Sequence, residues 1–115
     1  DVDFHGFARL FHKRGYLSDD EYALCERLYT QLRLALPLPN LVVYLTASDE
    51  VIRQRLATRD RVNIATADDA ALLKEYLEAW VEALPQENVL KFDVSKSDLS
   101  YSDILPKLLH RIEAL

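Results

Sequence analysis

Leu41-Val-Val-Tyr-Leu-Thr46 is an unbroken apolar run rich in β-branched residues, the pattern of a strand covered on both faces, and such strands belong to parallel sheets. Pro37-Leu-Pro-Asn40 in front of it stops a preceding helix, because proline has no amide proton and pushes the residue before it toward extended backbone. Ala47-Ser48 leads out of the strand into another helix, with Ser48 as its N-cap. A second short strand, Val89-Leu-Lys-Phe-Asp93, follows later in the chain.

The flanking segments read as helices. Phe4, Phe7, Ala8, Leu10 and Phe11 form an apolar helical stripe, and Lys13-Arg14-Gly15 is the basic last turn and glycine stop of that helix. Ser18-Asp-Asp-Glu21 is a capping box that opens a second helix running to about Leu36. Residues 62 to 67 carry no period and are expected to be a loop. A fourth helix, about Asp68 to Leu84, places Leu72, Leu73, Tyr76, Leu77, Trp80 and Leu84 on its inner face, and Pro85 closes it. The last helix starts near Asp103, which requires Pro106 to lie in its first turn. The order of helix, helix, strand, helix, loop, helix, strand, helix is that of an α/β protein with a parallel sheet. Two strands cannot form such a sheet alone, so residues 41 to 46 are expected to be a central strand whose neighbours lie outside this chain, upstream of Asp1 or on another chain. The chain then reads as the C-terminal half of a larger domain.

Composition narrows the function. The 115 residues are 50% hydrophobic and 29% charged, ordinary for one folded domain. Apolar runs fall far short of the roughly 20 residues of a membrane span and no signal segment opens the chain, so a cytoplasmic protein without membrane contact is expected. Cys25, the single cysteine, shares helical spacing with Leu28, Tyr29, Leu32 and Leu36 and reads as a core residue. His5, His12 and His110 lack metal-ligand spacing. A pI near 5.1 argues against general nucleic-acid binding.

Against this acidic background, with a net charge of -5, Arg53, Arg55, Arg59 and Arg61 place four guanidinium groups in nine residues just after the first strand. Arginine suits phosphate because its planar fork donates paired hydrogen bonds and stays charged. The competing reading is a solvated helix face neutralised by Glu50 and Asp60, and the cluster alone does not separate the two.

Phe7-Ala8, Gly15-Tyr-Leu-Ser-Asp-Asp-Glu-Tyr22, Leu36-Pro-Leu-Pro-Asn-Leu-Val-Val-Tyr-Leu45, Arg59-Asp-Arg61 and Glu75-Tyr-Leu-Glu78, taken as an ordered series, resemble the deoxynucleoside kinase family over nearly the whole chain. The resemblance implies a P-loop-kinase-like fold, a three-layer arrangement of a parallel sheet wrapped by helices, with an arginine-rich lid at about residues 55–68. It implies ATP and Mg2+ as cofactors and phosphorylation of a deoxynucleoside 5'-hydroxyl. Arg55, Arg59 and Arg61 would contact the donor triphosphate, with Arg59 and Arg61 at the transferring group, while Arg53 points elsewhere. Such charge neutralisation is what phosphoryl transfer most needs. Asp3 stands where the family places a carboxylate on the nucleoside base; its ordinary alternative is a helix N-cap before Phe4. Asp98 and Leu99 stand where a loop passes the donor's adenine, Tyr76 and Trp80 read as packing, and Glu78 as a surface or interface residue. Family members commonly pair through helices, so a homodimer through the first two helices is expected, with Phe11, Tyr22 and Tyr29 in excess of one core stripe.

Three departures qualify the resemblance. With only Gly6 and Gly15 present, the 115 residues hold no Gly-x-x-x-x-Gly-Lys phosphate loop. The family's carboxylate and arginine pair before the Asp3 region is missing too, and Val62-Asn63 stand where the lid usually has acidic residues. A catalytically inactive binding or oligomerisation module is therefore the alternative, with a nucleoside monophosphate kinase a third reading.

Overall fold

The computed structural model describes residues 1–59, 66–98 and 100–115. A π-helical segment, Asp3–Ala8, runs directly into α1, Arg9–Lys13, and is followed by α2, Asp19–Ala35; β1, Val42–Thr46; α3, Asp49–Ala57; α4, Ala67–Glu82; a short 3-10 turn, Gln86–Asn88; β2, Val89–Asp93; and α5, Leu105–Glu113. Local sequence chemistry sets most of these boundaries. Gly15 takes φ +80°, a conformation that costs glycine no steric penalty, and ends α1. Ser18 and Glu21 form the full capping box of α2, with Glu21 N–H donating to Ser18 Oγ at 3.1 Å and Ser18 N–H to Glu21 Oε1 at 2.9 Å. Thr66 and Asp69 do the same for α4, a box that escapes the sequence reading, and α4 accordingly begins at Ala67 rather than after the loop expected to reach it. Residues 60–65, the remainder of that loop, lie outside the described residues. Pro106 sits in the first turn of α5, the one helical position where its missing amide proton costs nothing.

β1 and β2 pair in parallel, Val42 opposite Val89 through Thr46 opposite Asp93, and among the described residues they form a two-stranded sheet. This corrects the expectation that the neighbours of β1 lie outside the chain: one of them is β2. Nor is β1 covered on both faces within these residues. Val43 and Leu45 remain 37% and 47% exposed, because a single pair of strands gives one hydrogen-bonded edge and its alternate side chains face outward. Ala47, Phe92, Val94 and Ile104 are buried together, with Val51, Ile52, Leu90, Tyr101 and Leu108 packed against them; Phe92 and Leu90 pair in register with Leu45 and Val43, so this face of the sheet is covered over β2 and left open over β1.

The first helix departs from a regular α-helix. Its six-residue π-wound start coincides with a close approach to α4: a Cβ on Gly6 would meet Leu73 Cδ1 at 2.9 Å and Leu77 Cδ2 at 3.1 Å. Consecutive residues then serve different helices. Phe4 stacks between Tyr22 and Tyr29 of α2, with ring centroids 5.7 and 4.7 Å away, and the His5 ring stacks on Trp80 of α4. Leu10 and Val81 are completely buried in this helical half. Arg9 lays its guanidinium 4.0 Å from the centre of the Tyr76 ring, a cation–π contact, and Tyr76 is buried as the sequence reading expects.

Candidate functional site

The parallel pairing decides where the candidate residues emerge. α3 leaves the carboxyl end of β1 and the loop carrying Asp98 leaves the carboxyl end of β2, in register at Thr46 and Asp93. Both segments therefore lie at one end of the sheet, the end at which open α/β sheets hold their ligands.

Ser48 caps α3, its hydroxyl accepting from Val51 N–H at 3.3 Å. The helix then distributes its arginines unequally. Arg55 reaches across to β2 and donates from Nη2 to the carbonyl of Val94 at 2.8 Å. Arg53 is exposed and lies 3.8 Å from Asp68 at the start of α4, a loose surface pair of little energetic weight. Arg59 is exposed just past the end of α3, its amide donating to Leu56 O at 3.4 Å. Arg61 and Leu99 lie outside the described residues.

Around Asp98 the chain folds onto itself. Asp98 Oδ1 accepts from Ser100 N–H at 3.0 Å and from Ser100 Oγ at 2.7 Å, and these bonds, the side-chain one first, hold its carboxyl below the ordinary carboxylate range. Ser97 Oγ donates to Asp103 at 2.7 Å. Tyr101 adopts φ +53°, uncommon for a bulky residue, while packing on the buried cluster of Ala47, Phe92, Val94 and Ile104.

Asp3 lies apart from the sheet end. It is the first residue of the π-helical segment, whose N-cap is Val2 and has no side-chain cap, so the alternative reading of Asp3 as an N-cap does not hold. Its carboxylate instead borders two grooves. One, of about 310 Å³, runs between the first helix and α2 past Phe4, Cys25, Leu28 and Leu32; the other, of about 420 Å³, is lined by Asp3, Phe7, Ala8, Phe11, Leu17 and Cys25. The second brings Asp3 together with two phenylalanines. Asp3, Phe7 and Phe11 follow one another at four-residue spacing and so share a helix face; the tertiary structure adds Leu17 and Cys25 to the lining of the groove. Cys25 is half-buried and borders both grooves.

Beside this region a hydrogen-bonded chain ties the first helix to α2. Tyr29 Oη donates to Asp1 Oδ1 at 2.7 Å, and Arg33 donates to Asp1 Oδ2 at 2.7 Å. Since the Tyr29 hydroxyl gives its one proton to Asp1, His5 Nε2, 3.0 Å away, acts as donor to it. Burial, followed by the nearby positive charge of Arg9, lowers the His5 pKa.

Among the described residues no cluster of three or more His, Cys, Asp or Glu side chains is arranged to hold a metal ion. No described helix is long and apolar enough to cross a membrane.

The deoxynucleoside kinase family model matches residues 2–112, and the chain belongs to that family. No curated protein and no solved structure matches it significantly. Membership supports, at the level of the family, a kinase-type phosphotransferase function on nucleosides.

Proposed function

We propose that the intact protein phosphorylates the 5'-hydroxyl of a deoxynucleoside with ATP as donor, and that this chain supplies the C-terminal portion of a three-layer, P-loop-kinase-like domain. The observation that carries the reading is the parallel pairing of β1 with β2, which brings the arginine-bearing segment and the Asp98 loop to the same end of the sheet. A nucleoside triphosphate has a polyanionic end and an aromatic end, and these two segments suit one each. Arg59 and Arg61, with Arg55, neutralise the phosphates as charge shifts during transfer; Asp98 and Leu99 offer backbone to the donor's base. Asp3, in a groove with Phe7 and Phe11, suits a nucleoside base: aromatic faces for stacking and a carboxylate that accepts from an exocyclic amine, as on cytosine or adenine. The phosphate-binding loop and the remaining strands come from parts of the protein outside these residues, and the free edge of β1 is where such a strand pairs.

A dimer is part of the proposal. Leu24, Leu28, Leu32 and Leu36 recur every fourth residue along α2 and are 54 to 60% exposed, while α2 has no fully buried residue. Tyr22 and Tyr29, first counted as surplus, are taken up by Phe4, so the leucine ridge is the apolar surface left for a second copy.

Assay of the intact protein with ATP and the four common deoxynucleosides tests the activity. Arg59→Ala and Arg61→Ala each lower kcat by at least about 10-fold, the loss of one charge-assisted contact to a phosphoryl oxygen. Arg53→Ala changes it little. Equal losses at all three positions remove the lid assignment, and a wild type that phosphorylates no deoxynucleoside leaves the inactive binding module as the better reading.

A further inference from the structure

The ladder between the strands continues one residue past β2, where Val94 N–H donates to Thr46 O at 2.7 Å. Immediately beyond it, Ser48 N–H donates to Ser95 Oγ at 2.8 Å, and Ser95 Oγ passes its own proton to Asp93 Oδ1 at 2.6 Å. The same carboxylate oxygen accepts Ser95 N–H at 2.9 Å. A hydroxyl has one proton to give, so the chain of bonds runs in one direction, from the Ser48 amide through the Ser95 hydroxyl to the Asp93 carboxylate. The ionised end shortens and strengthens the link.

Ser48 is the N-cap of α3. The opposite end of that helix is tied to the same stretch of β2, since Arg55 donates to Val94 O. Three successive residues, Asp93, Val94 and Ser95, thus hold α3 at both ends, and the chain then passes directly into the loop of Asp98. Lys74 of α4 adds a tie from another side, donating to Ala47 O at 3.1 Å. An aspartate that merely closed a turn at the end of its own strand would need only the bonds to Ser95; the bond from Ser48, 47 residues away in sequence, makes the turn a cross-brace.

We infer that Asp93 and Ser95 are positioning residues that fix the aim of the arginine-bearing helix relative to the Asp98 loop, so that the phosphates and the base of a nucleoside triphosphate meet one rigid unit. Neither side chain touches the nucleotide in this role. The inference rests on the donor-binding reading of the sheet end given above.

Ser95→Ala and Ser95→Thr in the intact protein test it through two measurements. Amide hydrogen exchange reports α3 directly: in Ser95→Ala the amides of Val51 and Ile52 exchange about 5- to 10-fold faster, the factor expected for one hydrogen bond, and Ser95→Thr, which keeps the hydroxyl, restores protection. In phosphorylation kinetics Ser95→Ala raises the KM for ATP by about 5-fold and leaves the KM for the nucleoside unchanged, again with recovery in Ser95→Thr. Unchanged exchange in α3 overturns the inference. So does a fall in kcat with both KM values unchanged, which is what a smaller folded fraction gives, or a parallel rise of both KM values. If the intact wild type phosphorylates no nucleoside, the kinase reading falls and the exchange measurement alone decides whether Ser95 holds α3.

Discussion

Around Phe4 the molecule is packed ring against ring; around Ser95 it is tied bond to bond. In the helical half, Phe4 lies between Tyr22 and Tyr29, His5 lies on Trp80 and His12 lies on Tyr22, while α2 contributes no fully buried side chain. At the strand ends, Ala47, Phe92, Val94 and Ile104 are buried together under a set of directed hydrogen bonds from Ser48, Arg55 and Lys74. The difference has a physical meaning. Stacked rings gain energy over a range of offsets and tilts, so they hold helices together without fixing them finely, whereas hydrogen bonds weaken steeply with angle and distance. The half proposed to offer a surface to a second copy is built the first way, and the half proposed to aim arginines at phosphate is built the second.

The comparison can be broken most forcefully at the buried centre of the helical half. Leu10→Ala removes a completely buried side chain and is expected to cost about 2–5 kcal/mol of stability, measured by urea unfolding of the intact protein. A cost under 1 kcal/mol would show that the rings alone hold this half. Gly6→Val drives a branched side chain into Leu73 and Leu77 and costs about 1–3 kcal/mol. Should it prove neutral, the close approach of the first helix to α4 is not a constraint on its π-wound start.

Smaller effects come from the caps and the ridge. Ser18→Ala deletes one arm of the α2 capping box and lowers stability by about 1 kcal/mol. Leu28→Gln, on the exposed ridge of α2, leaves the stability of the single subunit within about 0.5 kcal/mol of wild type yet shifts sedimentation of the intact protein toward monomer; a dimer that survives it places the subunit contact elsewhere.

Acid sharpens the contrast further. Burial depresses the His5 pKa in the folded protein, so folding disfavours its proton. The neutral ring costs nothing above its ordinary value of 6.5, and stability falls as pH drops below that value toward the folded pKa. Asp93 behaves differently. The side-chain bond from Ser95 and then the backbone bond from the same residue lower its pKa, giving stability that is present above the ordinary 3.8 and lost as pH falls through the folded value. Acid titration of stability should therefore show an upper limb that His5→Phe removes and a lower limb that Asp93→Asn reduces. One limb that is insensitive to His5→Phe would mean that His5 does not report on the helical half.

Both strands, the Ser18–Glu21 box, the Ser48 cap, the Gly15 stop and the placement of Pro106 were legible because each depends on residues a few positions apart. Local rules of this kind are written directly into the order of side chains. The arginine cluster was equally plain as a concentration of charge, and the ordered series from Phe7 to Glu78 was enough to suggest the family whose model matches residues 2–112. What escaped was contact across distance. Nothing in the sequence order ties Arg14 to Asp69 or lets Gly6 admit Leu73 and Leu77.

The sequence by itself determined which segments are helix or strand, that the strands belong to a parallel sheet, and where the arginines concentrate. Tertiary structure alone decided that β2 is the partner of β1, that Tyr22 and Tyr29 are spent on Phe4 while the leucines of α2 stay exposed, and that Ser95 meets Ser48. The reason is that propensity, capping and periodicity act over a turn or a pleat, whereas a hydrogen bond between residues 47 positions apart exists only once the chain has brought the carboxyl ends of both strands into register.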